Sequence, residues 1–132
     1  MNAMLITSGM MQTASKILVV GINPANKSKS QTLKRLNRWM DELNIKHYSF
    51  INCIFTKGVY SADQVDYSLI SQYLMPIKYY KILALGGFSS NVLGKIKIDH
   101  FKLPHPSPRN RKLNDKTFET NILKECKKYI HD

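Results

Sequence analysis

Hydrophobic positions along this chain follow two periods in turn. The apolar stretch Ile17-Leu18-Val19-Val20, within a run from Lys16 to Val20, stops at Gly21-Ile22-Asn23-Pro24, which predicts a buried strand closing into a loop. From Gln31 to Leu43 the spacing changes: Leu33, Leu36, Trp39, Met40 and Leu43 recur every three or four residues, predicting a helix with one buried face and Ser30 as its cap. Tyr48 to Ile54 reads as a second strand. Ser61, with Gln64 three residues on, has the form of a capping box, starting a helix that Pro76 stops. Lys81 to Leu85 is a third strand, closed by Gly86-Gly87 and followed by a short helix around Phe88 to Leu93. Phe101 to Leu103 is a fourth strand, and a proline-rich loop leads from it to a last helix. That helix is capped by Asp115 and carries Phe118, Ile122, Leu123, Cys126, Tyr129 and Ile130 on one face.

Short apolar runs separated by helices imply strands buried on both faces, joined by right-handed crossovers. The expectation is an α/β three-layer α/β/α fold with a four-stranded parallel sheet, forming one domain over residues 1–132. Residues 1–14 are given no element and are expected to be flexible. A chain of 132 residues with 43% hydrophobic content can bury one continuous core. Its two cysteines, Cys53 and Cys126, stand far apart and read as reduced, buried thiols rather than a disulfide framework or zinc site. No stretch has the length and apolarity of a membrane span, and the first residues lack the form of a secretion signal, so a cytoplasmic (or nucleoid or nuclear) location is expected.

Charge adds a partner. Twenty Lys and Arg against nine Asp and Glu give a formal net charge of +11, which points to a polyanion. Lys27, Lys29, Lys34, Arg35 and Arg38 form a basic stretch with no acid between Pro24 and Met40. Neither a GxxxxGK[ST] nor a GxGxxG loop is present, which argues against nucleotide hydrolysis and dinucleotide binding. No metal-ligand spacing is present either, and neither a cofactor nor an obligate protein partner is called for.

Open parallel sheets place ligands at the carboxyl ends of their strands. Here those ends carry Gly21-Ile22-Asn23-Pro24, Asn52, Gly86-Gly87 and the loop from Pro104 to Arg111. Two amides and an imidazole in such positions suit a planar, polar ligand. The same residues carry a resemblance. GINP (21–24) together with HPSPRN (105–110) resembles the two signature motifs of the uracil-DNA glycosylase superfamily, with the Asn52 strand and LALGG (83–87) in the expected order. The asparagine of GINP is similar to the mismatch-specific branch, and HPSPRN resembles the single-strand-selective monofunctional branch. The likeness spans Ile17 to Arg111.

The resemblance implies a monofunctional DNA glycosylase that flips uracil or a related damaged or mismatched pyrimidine out of DNA and hydrolyses its N-glycosidic bond. It assigns catalysis to Asn23, which would orient the attacking water, and to His105, a neutral donor to the negative charge developing on the base O2. Gly21, Ile22 and Asn52 would bind the base, with Asn52 matching the O4 and N3–H edge of uracil. Arg109 would fill the space left by the flipped base. Ser107, Asn110, Arg111 and Lys112, with Lys27 and Lys29, would contact DNA. Each has a plainer role open to it: Asn23 as a cap, Asn52 as a turn residue, the basic residues as solvated charge.

Two positions depart from the family's pattern. Ala25 stands where uracil-specific enzymes have a tyrosine that excludes the thymine methyl, so 5-substituted uracils would fit. Arg35 and Leu36 stand where relatives carry a base-stacking aromatic, and nearby Trp39 lies on the apolar stripe and reads as core. The departures keep two alternatives in view: a DNA-binding protein that retains the fold without activity, and an unrelated α/β enzyme acting on a nucleotide-like metabolite.

Overall fold

The computed structural model describes residues 5–8, 17–22, 30–54, 62–74 and 81–131. In chain order the elements are β1 (Leu5–Ser8), β2 (Ile17–Gly21), α1 (Ser30–Glu42), β3 (Tyr48–Asn52), α2 (Tyr67–Leu74), β4 (Lys81–Leu85), α3 (Gly86–Lys95), β5 (Phe101–Leu103) and α4 (Lys116–His131). Single 3-10 turns occupy Ala62–Gln64 and Arg111–Asn114. The sheet order is β1-β3-β2-β4-β5. Strands β3, β2, β4 and β5 are mutually parallel, as the alternating pattern predicts, while β1 joins the outside of β3 in antiparallel register with Leu5 opposite Ile51. This fifth strand adds to the four parallel strands expected from the sequence.

The continuous apolar runs are explained by burial on both faces. Ile17 and Val19 of β2 point with Leu83 and Leu85 of β4 into a core built with Leu36, Trp39, Met40 and Leu43 of α1 and Leu123, Cys126 and Ile130 of α4. The alternate residues Leu18, Val20 and Ala84 face a second core with Ile70 of α2 and Val92 and Leu93 of α3. Helices therefore cover both sides of the sheet, giving the α/β/α sandwich. Each such side chain, fully buried, contributes about 1.5–3 kcal/mol. The chain moves from β2 outward to β3, then back across β2 to β4. This reversal puts α1 and α2 on opposite faces and leaves a crevice between the carboxyl ends of β2 and β4.

Helix boundaries follow local chemistry. Asp115 caps α4, its Oδ1 accepting from the Thr117 and Phe118 N–H groups at 2.9 and 3.3 Å. Of the predicted capping box, Ser61 lies outside the described residues, and Ala62–Gln64 forms a 3-10 turn. The α2 helix starts at Tyr67, with Asp66 Oδ1 accepting from Leu69 N–H at 2.9 Å. Both α1 and α3 end on a residue in the left-handed region, Asn44 (φ 61°) and Lys97 (φ 58°). The next N–H, of Ile45 or Ile98, bonds back to Met40 O (2.8 Å) or Leu93 O (2.9 Å), which satisfies carbonyls the helix end leaves open. Leu33 departs from its predicted buried face and is 44% exposed.

The seam between α1 and α4 is tied by one carboxylate. Glu119 Oε2 accepts from Trp39 Nε1 at 3.1 Å and from Arg38 Nη2 at 2.7 Å, with Arg35 Nε 3.9 Å away. Arg35 and Arg38, part of the basic stretch read from the sequence, thus pair within the protein. A half-buried carboxylate holding an indole and a guanidinium is worth more than an exposed pair, because removing it leaves the buried indole N–H without an acceptor. Glu119→Ala is expected to cost about 2 kcal/mol, measured as a lower urea midpoint with an unchanged slope. Among the described residues no helix is long and apolar enough to cross a membrane.

Candidate functional site

The parallel strands end in register. Gly21 pairs with Asn52, Val20 with Ala84 and Leu85 with Leu103, so Asn52, Gly21, Leu85 and Leu103 form one row across the carboxyl edge. The β2–β3 ladder continues one step beyond it, with Cys53 N–H donating to Gly21 O at 2.9 Å and Ile54 N–H to Ile22 O at 2.7 Å. This fixes Ile22, half-buried against the second core, as a stiff ledge beside the row.

Asn52 is 5% exposed and stands at the carboxyl end of β3. An amide at the ligand end of a sheet can offer one donor and one acceptor to a planar polar ligand. Gly21 provides its space: a Cβ there would meet Phe50 Cζ at 2.6 Å and Asn52 Oδ1 at 3.1 Å. Phe50 and Asn52, two residues apart on β3, share a face, and the phenyl tip and the amide converge over a residue without a side chain. Phe50 is a site neighbour the sequence reading missed, because it looked for an aromatic on α1.

On the other side of the crevice stands His105. Gly86, at φ +83°, adopts the left-handed region that opens α3 directly after β4, and a Cβ on it would meet His105 Cβ at 3.2 Å. His105 Nδ1 accepts from Ser107 N–H at 3.2 Å. With Nδ1 as acceptor, the neutral ring carries its proton on Nε2, which makes that nitrogen a donor.

The loop holding His105 is tied by its own polar groups. Ser107-Pro108-Arg109-Asn110 is a β-turn closed by Asn110 N–H to Ser107 O at 3.0 Å, with proline at its favoured second position. Ser107 Oγ accepts from Arg109 N–H at 3.1 Å. Asn110 donates through Nδ2 to His105 O at 3.0 Å and accepts through Oδ1 from Lys112 N–H at 3.2 Å, capping the 3-10 turn. Ser107 and Asn110, expected to touch DNA, therefore shape the loop. Arg109 stands exposed at the tip of the turn, and Arg111 and Lys112 are exposed behind it.

No family model matches this chain, and no curated protein matches it.

Asn23, Lys27 and Lys29, with Pro24 and Ala25, lie outside the described residues. The remaining histidines take no part in this edge. His47 and His131 are exposed, and His100 is bonded to Ser90 Oγ at 2.7 Å and to Ile98 O at 2.8 Å. Both cysteines are free and buried. Burial pushes the Cys53 thiol up to about 11, moderated by neighbouring Ser89, and the Cys126 thiol up to about 12, so neither is a thiolate nucleophile near neutral pH. Among the described residues no group of three or more His, Cys, Asp and Glu side chains is placed to hold a metal ion.

Proposed function

We propose that this protein is a monofunctional DNA glycosylase acting on uracil or a related pyrimidine. The observation that carries the reading is the pair at the carboxyl edge: Asn52, 5% exposed at the end of β3, and His105, whose Nδ1 accepts from Ser107 N–H and so favours a proton on Nε2. Three strand spacings of about 4.8 Å put the backbones of β3 and β5 about 14 Å apart.

In this reading the Asn52 amide donates to O4 and accepts from N3–H, a pattern that cytosine inverts. Phe50 offers its ring beside the base, a role that α1 cannot supply, since Leu36 is core and Arg35 leans toward Glu119. The bond between base N1 and sugar C1′ breaks with its electron pair passing to the base. His105 Nε2–H stabilises the charge that collects on O2. Water, oriented by Asn23 two residues beyond Gly21, adds its oxygen to C1′ and releases a proton, while the departing base anion takes one up. An amide is no general base, so most of the acceleration falls to His105.

The test is alkali-revealed scission of a labelled oligonucleotide carrying one uracil, single-stranded and opposite guanine or adenine, beside Asn23→Ala. Scission that the substitution reduces supports the reading. Absence of scission for uracil and for 5-hydroxymethyluracil, with DNA binding retained, would instead establish the non-catalytic DNA-binding alternative. That alternative draws on one observation, the absence of an aromatic ring at Arg35 and Leu36.

A further inference from the structure

We infer that a cavity of about 310 Å³ between the start of α3, β5 and the start of α4 is a seat for one backbone phosphate of the DNA strand, with Lys102 as its principal contact. The inference rests on DNA being the partner, and it adds a residue that neither motif contains. Lys102 is the exposed middle residue of β5, between half-buried Phe101 and buried Leu103. Lys112 enters the same cavity from the 3-10 turn, and His105 forms part of the wall.

Two cations from separate elements thus open on one concavity that no carboxylate lines. Among the described residues neither lysine is in an ion pair, whereas Arg35 and Arg38 of α1 both are. Lys102 Nζ lies 3.7 Å from where a Gly87 side chain would begin, so the ammonium stands against the first turn of α3. The residue capping that turn, Leu85, offers no side-chain acceptor. Positive charge gathered this closely without an internal acid is complemented by an anion from outside. Phe118 and Ile122 give the cavity an apolar side, suited to the carbon face of a deoxyribose and not to a free hydrated ion alone. Because His105 is shared, the bound phosphate would lie next to the flipped nucleotide and hold the strand while the base is out of the stack.

The experiment uses the full chain. Binding of an undamaged oligonucleotide is followed by anisotropy across a salt series for wild type, Lys102→Gln, Lys112→Gln and a control, Lys124→Gln, on the exposed side of α4. In parallel, the Gly86 and Gly87 amide resonances are followed during titration with inorganic phosphate. Lys102→Gln is expected to lower the slope of log K against log salt by about 0.7–0.9, the share of one phosphate, and Lys112→Gln by no more than that, with no change for the control. Phosphate is expected to shift both glycine amides in wild type and not in a variant carrying both Lys102→Gln and Lys112→Gln. An unchanged slope for Lys102→Gln overturns the inference, and phosphate shifts without a change of DNA slope would mean an adventitious anion only. The two proposals separate cleanly. Lys102-dependent slopes without uracil excision leave the phosphate seat standing and remove the glycosylase reading, while excision with unchanged slopes does the reverse.

Discussion

Asn52→Leu is expected to slow uracil excision by about a hundred-fold or more. The Asn52 amide, at a residue only 5% exposed, is what the proposed reading assigns to the base edge, and leucine of similar volume offers neither donor nor acceptor there. Single-turnover excision measures the loss, and urea denaturation of the same preparation checks that the variant remains folded. Unaltered excision by a folded Asn52→Leu protein would remove Asn52 from the site.

His105→Ala is expected to slow excision by about 10²–10³-fold, the usual consequence of losing one donor aimed at a developing oxyanion. The change removes the bond from Ser107 N–H to the ring but leaves two other ties of the loop, from Asn110 to the carbonyl of residue 105 and across the Ser107 to Asn110 turn. Binding to undamaged DNA is expected to fall much less than the rate, because no charge is lost. His105→Gln retains an N–H and should recover part of the rate, which a purely structural role for the ring would not produce. Equal losses in Ala and Gln variants would count against the donor role.

Much of this architecture is legible in the sequence because it is local. Strands β2 and β4 announce themselves as unbroken apolar runs, since both of their faces meet helices, and α4 shows its cap and stripe residue by residue. What stays hidden depends on distant partners. Strand β1 has four residues, too few to show a period, and is defined by pairing with β3 more than forty residues away. Gly86-Gly87 reads as a turn, but the turn and the first helical residues coincide because φ +83° at Gly86 swings the chain straight into α3.

The candidate site divides the same way. Strand-end positions of Gly21, Asn52 and His105 follow from the topology rule; the register sets Gly21 beside Asn52, and Gly86 packs against His105. The local tasks of Ser107 and Asn110 were concealed because a loop amide looks alike whether it binds a phosphate or its own backbone. Arg35 and Arg38 read as a free basic face because Glu119 lies some eighty residues further on. Phe50 and Lys102 appear only when neighbouring strands are laid side by side.

The antiparallel strand β1 has a meaning beyond its four residues. Without it, β3 would present the unpaired backbone of Tyr48-Ser49-Phe50-Ile51-Asn52, a β-prone segment with no charge and no proline, as an open margin of the sheet. The opposite margin is short, since β5 has only three residues and carries Lys102 outward. The sheet therefore closes on a short strand carrying a lysine at one flank, and at the other on β1, which covers the backbone margin of the strand that ends in Asn52.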